Sequence, residues 1–318
     1  MTSAHKLDPP QFESAQELLI RLARVEQELE TVYAALYDMV HDVDHATSFA
    51  ARKTVAAFGH QWANVPDGRF MLSDRKFKEE VDEIIVHEEL LIDRVWFGGK
   101  RVLDAGCGGG RWSYGLAKLG AHVTAVDTNP SAIEATRSAL LELGAPADFL
   151  QCSLEELGTK LPAESFDLVW SWGVLHHCAS FMASIRSVSR LLRPGGLLHL
   201  YLYGRAGISL SADIKLFKER LRYNYSNSDI ERQNFLQEKA AGHGLDIHHV
   251  HDIYAPLVNR RFEFEEIKEI LQAEGFSHVD RPIDHTEIWL RAVKGKDAAV
   301  IHKYGLPKSL PPYWFERE

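Results

Sequence analysis

The segment Val102-Leu103-Asp104-Ala105-Gly106-Cys107-Gly108-Gly109-Gly110-Arg111-Trp112-Ser113 is the part of the chain best suited to hold a ligand. An apolar run leads into it as a buried strand, and a helix is predicted immediately after it. Glycines at 106 and 108 let the main chain turn sharply and let a ligand approach it with no Cβ in the way. The helix N-terminus beyond favours a polar or anionic group. Asp127 lies twenty-one residues after Gly106, at the end of the next strand-like run. A carboxylate there can accept both hydroxyls of a ribose, and Thr128 beside it joins the same candidate site. The pattern is that of a nucleoside-containing cofactor at the carboxyl edge of a doubly wound sheet. A second set of groups follows the strand-like run at 166–172. His176 and His177 are candidate proton acceptors, with His177 favoured, because imidazole titrates near neutrality. Trp170, Trp172, Tyr201 and Tyr203 lie at the carboxyl ends of central strands, where aromatic faces can attract a cation or stack on a ring. Trp170 is assigned to the cofactor, and Trp172, Tyr203 and Arg205 to the substrate. Cys107 has no base beside it in the sequence and reads as a small packing residue.

The elements that must position these groups follow from the chain's periodicities. From about residue 14 a helical pattern runs without Gly or Pro until Gly59. Its apolar positions, Leu18, Leu22, Val25, Leu29, Val32, Leu36, Met39 and Val43, alternate spacings of four and three, which is a coiled-coil seam. With Leu22 at an a position, Arg21 and Glu26 form an opposite-sign g–e pair suited to a parallel partner, so self-association as a dimer is expected. A second helix is predicted over roughly 75–94. Strand-like runs at 101–106, 121–127, 147–152, 166–172 and 197–203 then alternate with helices, which implies βαβ units and a parallel sheet. Asn129-Pro130 opens one of these helices as cap and first residue, and Gly144 stops it. Runs at 277–283 and 286–293 are joined too tightly for a parallel crossover and should form an antiparallel hairpin.

The choice of cofactor turns on Arg111. A dinucleotide fingerprint wants a third small residue at that place, so the fit to a nicotinamide cofactor fails there. The segment instead fits acidic-x-Gly-x-Gly-x-Gly, with Asp104, Gly106, Gly108 and Gly110. It resembles the class I S-adenosylmethionine-dependent methyltransferases, and so do three further motifs in order. These are Asp127 after the second strand, Phe166–Ser171 leading into Gly173-Val174-Leu175-His176-His177, and Leu192-Arg193-Pro194-Gly195-Gly196 before the fifth strand. The resemblance covers about residues 85–203 and the terminal hairpin. It implies a seven-stranded, mostly parallel Rossmann-like sheet with one antiparallel strand, and S-adenosylmethionine as cofactor. By resemblance Gly106 and Gly108 meet the methionine moiety, Asp104 orients its amino end, and Asp127 holds the ribose. Where the family often has an acid that reads adenine, this chain has Ser153, followed by Leu154 and Glu155, and which group serves is open. Phe58, Gln61 and Trp62 resemble a flap over the cofactor.

The chain is accordingly divided into an N-terminal helical region and flap (1–74), a cofactor-binding core (75–203), a helical insertion forming a substrate lid (204–262), the remaining core (263–293) and a tail (294–318). The insertion carries Lys215, Lys218, Arg220 and Arg222 on one predicted helix, and then His243, His248, His249 and His251. No carboxylate pattern accompanies those histidines, so no metal is assigned. The 318 residues carry 36 basic and 45 acidic side chains, a net charge of −9, which argues against a general nucleic-acid binder. No apolar run is long enough to span a membrane, and three cysteines give no disulfide framework, so a cytoplasmic protein is expected. The expected function is methyl transfer from S-adenosylmethionine to a small-molecule or sugar-containing acceptor, at oxygen because a histidine base is available. The competing readings are a nicotinamide-dependent oxidoreductase and a non-catalytic cofactor-binding subunit.

Overall fold

A computed structural model describes residues 14–308. Three helices open the chain: α1 (Ala15–His41), α2 (Ser48–Asn64) and α3 (Arg75–Ile84). The alternating region comprises β1 (Arg101–Ala105), α4 (Arg111–Lys118), β2 (His122–Asp127), α5 (Pro130–Leu143), β3 (Ala147–Gln151), the short α6 (Leu157–Lys160), β4 (Phe166–Trp172), α7 (Phe181–Leu191) and β5 (Leu192–Leu202). Three helices follow, α8 (Leu210–Asn224), α9 (Asp229–His243) and α10 (Ile247–Tyr254). The chain then returns to the sheet through α11 (Phe264–Ala273), β6 (Phe276–Asp280) and β7 (Ile288–Lys294), and α12 (Ala299–Tyr304) ends the described part. Residues 1–13 and 309–318, the latter including the aromatic and proline residues from Pro311 to Phe315, lie outside the described residues.

The seven strands run in the order β3-β2-β1-β4-β5-β7-β6, parallel from β3 to β5, with β7 antiparallel to both of its neighbours. This is the expected seven-stranded, mostly parallel sheet, and the reversal of strand order between β1 and β4 opens the crevice in which such sheets bind ligands. Successive residues face opposite sides, as pleating requires. Val102, Leu168 and Trp170 pack with α3, α4 and α5, whereas Leu103, Val169 and Leu198 pack with α7 and α11. α5 begins as expected, with the Asn129 side chain accepting from the Ser131 N–H and Pro130 in the first turn, and it ends at Gly144 with φ 68°.

Two predicted helices prove shorter than their patterns. The pattern from residue 14 splits at Asp42, whose side chain accepts the N–H groups of Asp44 (2.9 Å) and His45 (2.7 Å), closing a turn before Thr47 caps α2. That local side-chain turn competes with the helical ladder. Leu36 and Val40 therefore pack on Phe217 and Leu257 of the same chain, and Val43 lies beyond the helix against the sheet's second core face. The earlier seam residues Leu18, Leu22, Val25, Leu29 and Val32 remain 44–60 % exposed. The pattern over 75–94 is α-helical to Ile84, widens into a π-turn over Ile85–Leu90, and stops at Leu91, which has φ 51°. The insertion has a core of its own around Tyr223, Phe235, Val250 and Tyr254. Among the described residues no helix is long and apolar enough to cross a membrane.

Candidate functional site

The glycine turn after β1 is held from both sides. The N–H groups of Gly106 and Cys107 both donate to Val126 O, at 2.8 and 2.9 Å, and Gly108 N–H donates to Asp127 Oδ2 at 3.1 Å. Asp127 Oδ1 accepts Asn129 N–H at 2.9 Å, so backbone donors fix the carboxylate at the end of β2 while burial raises its pKa. Gly106 has φ 96°, and an added Cβ would lie 2.3 Å from a Val174 methyl, so only glycine fits this turn. The indole of Trp62 lies over Gly108 and Gly109, closely enough to fill the space of a side chain at either position. Asp104 points the other way. It is 1 % exposed, its Oδ2 accepts Ser113 Oγ–H at 2.6 Å, and burial, partly opposed by that bond, raises its pKa to about 7.

A cavity of about 540 Å³ opens along this edge. Gly106, Gly108, Asp127, Thr128, Ser153, Leu154 and Glu155 line it together with Trp172, His177 and Tyr203. α2 covers it with Thr54, Val55, Phe58 and Trp62, and the insertion contributes His248 and Asp252. Four of the expected site residues are not among those lining the cavity. Trp170 shares a face with Trp172 but sits two residues deeper, fully buried between Trp112 and His199. Arg205 leaves the edge after Gly204; it donates to Arg261 O and reaches toward Glu266. His176 is fully buried against Tyr203, and neither of its ring nitrogens has a hydrogen-bond partner. Asp104 is the fourth, turned toward Ser113.

His177 contacts the cavity with one nitrogen committed. Its Nδ1 lies 2.7 Å from Val258 O, which can only accept, so the proton is on Nδ1 and Nε2 carries the lone pair. Burial lowers the His177 pKa to about 3, slightly offset by the bond to Val258 and reinforced by Arg220 and Arg260. The ring is therefore neutral throughout the neutral range, with its lone pair on Nε2. Trp172 contributes less surface than its type suggests. Tyr201 stacks on it at 4.1 Å and the Arg111 guanidinium lies 4.5 Å from its ring, so both faces are taken. The expected basic face on α8 does not reach the cavity. Arg220 is buried and donates to Ile253 O at 2.9 Å, and Lys218 pairs with Glu30. Of the four histidines after it, only His248 reaches the cavity. Cys107 is buried, and desolvation, reinforced by Asp127 and Asp104 and partly opposed by the bond from the Thr136 hydroxyl, raises its thiol pKa well above the ordinary value.

Sequence reasoning missed the lining role of Arg111, Thr54, His248 and Asp252. The spacing of His248 and Asp252, one helical turn apart, places them on one face of α10; that was the available signal.

Residues 103–200 match the family described as a methyltransferase domain. A ubiquinone biosynthesis O-methyltransferase of Xanthomonas euvesicatoria pv. vesicatoria is 41 % identical over 120 residues, which is 38 % of this chain and 50 % of that one. Its counterpart in Dechloromonas aromatica is 40 % identical over 107 residues, 34 % of this chain and 46 % of its own. The chain thus spans about half the length of the relatives it matches. Among solved structures, a magnesium protoporphyrin IX methyltransferase from Synechocystis with bound S-adenosylmethionine is 17 % identical, with TM-score 0.43 and coverage of 82 % of this chain and 97 % of that one. An S-adenosylmethionine-dependent methyltransferase of Methanosarcina mazei is 20 % identical, also at TM-score 0.43, covering 63 % of this chain and 94 % of its own.

Proposed function

Because the chain carries a class I S-adenosylmethionine-dependent methyltransferase domain, we propose that it transfers a methyl group to a hydroxyl oxygen of a small molecule. The observation that carries this reading is one cavity lined both by the glycine cradle with the Asp127 carboxylate and by His177, whose Nδ1 is committed to Val258 O. Residues lining the cavity fit the cofactor: the turn at Gly106 and Gly108, with Trp62 over Gly108, would border the methionine moiety, Asp127 would accept the ribose hydroxyls, and Ser153, Leu154 and Glu155 would flank the base. When bound, S-adenosylmethionine supplies an electrophilic methyl carbon whose bond to sulfur breaks as the acceptor oxygen bonds to it, leaving a neutral thioether. His177 Nε2 takes the hydroxyl proton, and Val258 O holds the ring in the tautomer that allows this. Phe58 and Trp62, on α2, exclude water from above. The names of the two relatives, both O-methyltransferases, support oxygen as the accepting atom.

Calorimetric titration with S-adenosylhomocysteine tests the reading. The wild type should bind and Asp127→Ala should bind at least tenfold more weakly; absent binding, or equal binding by the variant, refutes it. We also propose that the exposed stripe from Leu18 to Val32 joins a second copy as a parallel dimer. An apolar seam of that length on a helix with α8 behind it, flanked by Arg21 and Glu26, supports a partner helix of the same kind.

A further inference from the structure

The helical insertion adds polar groups to the cavity. His248 and Asp252 both line it, one turn apart on α10. His248 is 4 % exposed, and neither ring nitrogen has a hydrogen-bond partner among the described residues. Buried polar atoms are seldom left that way, because the desolvation is uncompensated. Asp252 Oδ1 accepts Gln61 Nε2–H at 2.8 Å, and the same amide reaches His248 O at 3.3 Å. Gln61 is itself fully buried on α2, so the lid helix commits a buried amide to fixing this turn of α10. Burial raises the Asp252 pKa, opposed by His248, the Gln61 bond, His249 and Arg111. Arg111 lines the same cavity; its guanidinium donates to Phe70 O at 3.1 Å and lies against Trp172.

Charge now discriminates between acceptor classes. A carboxylate or phosphate drawn to Arg111 would also meet Asp252, and an ammonium drawn to Asp252 would also meet Arg111. The face of Trp172 that might have held a cation is already occupied by Arg111. A hydroxyl suits both groups, since it can donate to Asp252 or His248 and accept from Arg111. Resting on the reading above, that a hydroxyl is methylated, we propose that Arg111, His248 and Asp252 recognise the acceptor, an uncharged molecule with at least two hydroxyls. One hydroxyl is held by this trio and another is presented to His177. Sugars and polyphenols share that chemistry.

The test uses full-length protein, methyl-tritiated S-adenosylmethionine, and a small-molecule cell extract separated by ion exchange into neutral, anionic and cationic pools. Wild type is expected to label the neutral pool alone. Asp252→Asn, whose amide oxygen still accepts from Gln61, and His248→Gln should each lower that labelling at least tenfold. Both should retain S-adenosylhomocysteine affinity within twofold of wild type. Acid hydrolysis and ultraviolet absorbance of the labelled product then separate a glycoside from a phenol. Label in a charged pool overturns the proposal, as does undiminished labelling by both variants. No label from any pool by a protein that binds S-adenosylhomocysteine overturns it too. Failure to bind S-adenosylhomocysteine defeats instead the methyltransferase reading on which it rests.

Discussion

Replacing Gly106 by alanine isolates what the glycine turn requires. The residue has φ 96°, and its new Cβ would lie 2.3 Å from Cγ2 and 2.6 Å from Cγ1 of Val174. Two costs add. The left-handed backbone costs an L-residue roughly 1–2 kcal/mol. Forcing a methyl into packed methyls costs roughly 1–3 kcal/mol more, giving about 2–5 kcal/mol in all. The second cost alone depends on Val174, so a double-mutant cycle with Val174→Ala separates them. In the Val174→Ala background the glycine substitution should cost less, but still more than the backbone share of about 1–2 kcal/mol, because the Cβ at position 174 remains 2.9 Å away. Urea titrations followed by tryptophan fluorescence give the four stabilities, provided the slopes agree. A penalty for Gly106→Ala below about 0.5 kcal/mol, or an equal penalty in both backgrounds, would refute the reasoning, since either means that the turn relaxes freely. Because the hydrogen bonds from 106 and 107 to Val126 hold the loop, the strained variant should also bind S-adenosylhomocysteine more weakly than Val174→Ala does.

Four other outcomes are expected. His177→Gln should lower methyl transfer by roughly 10²–10⁴-fold with S-adenosylhomocysteine affinity intact. In the wild type the His177 ring, its pKa lowered to about 3, should stay neutral as pH falls from 8 to about 4; an NMR titration with a midpoint near 6.5 would contradict its burial. Arg260 donates to the backbone oxygens of His41, Asp42, Cys178 and Ala179, so Arg260→Met should destabilise the fold by at least about 2 kcal/mol in urea unfolding, against a charged bond's usual 1.5–3 kcal/mol. Leu22→Glu with Leu29→Glu should convert a dimer to a monomer by sedimentation velocity without altering the cavity; equal masses before and after would remove the seam's role.

The cofactor edge was legible because its signals are local. A glycine turn, an acid at the end of the following strand and a proline-capped helix each declare themselves within a few residues. The sheet's order followed from alternation and from the tight connection before the last strand. What failed to be legible was depth and distance. Trp170 and Trp172 share one face of β4, and only their position along the strand decides which reaches the cavity. Arg205 is one residue past Gly204, where an added Cβ would collide with Thr286 O, so the chain turns there in a way no periodicity announces. Gln61 meets Asp252 across 191 residues, a pairing set by how α2 lies on α10. The apolar spacing from Leu18 could not show that a side-chain turn at Asp42 would end the helix before the last apolar position, Val43.

The antiparallel strand β7 has a consequence for biogenesis. Among the described strands it is the last to be synthesised, yet it lies between β5 and β6. Until residues 288–294 appear, the growing chain has Leu198, Leu200 and Leu202 along an open margin of the sheet, with backbone donors and acceptors bare. Such a margin is a template for pairing with another nascent chain. Synthesis that stalls inside the insertion should therefore yield aggregates rather than a soluble half-protein.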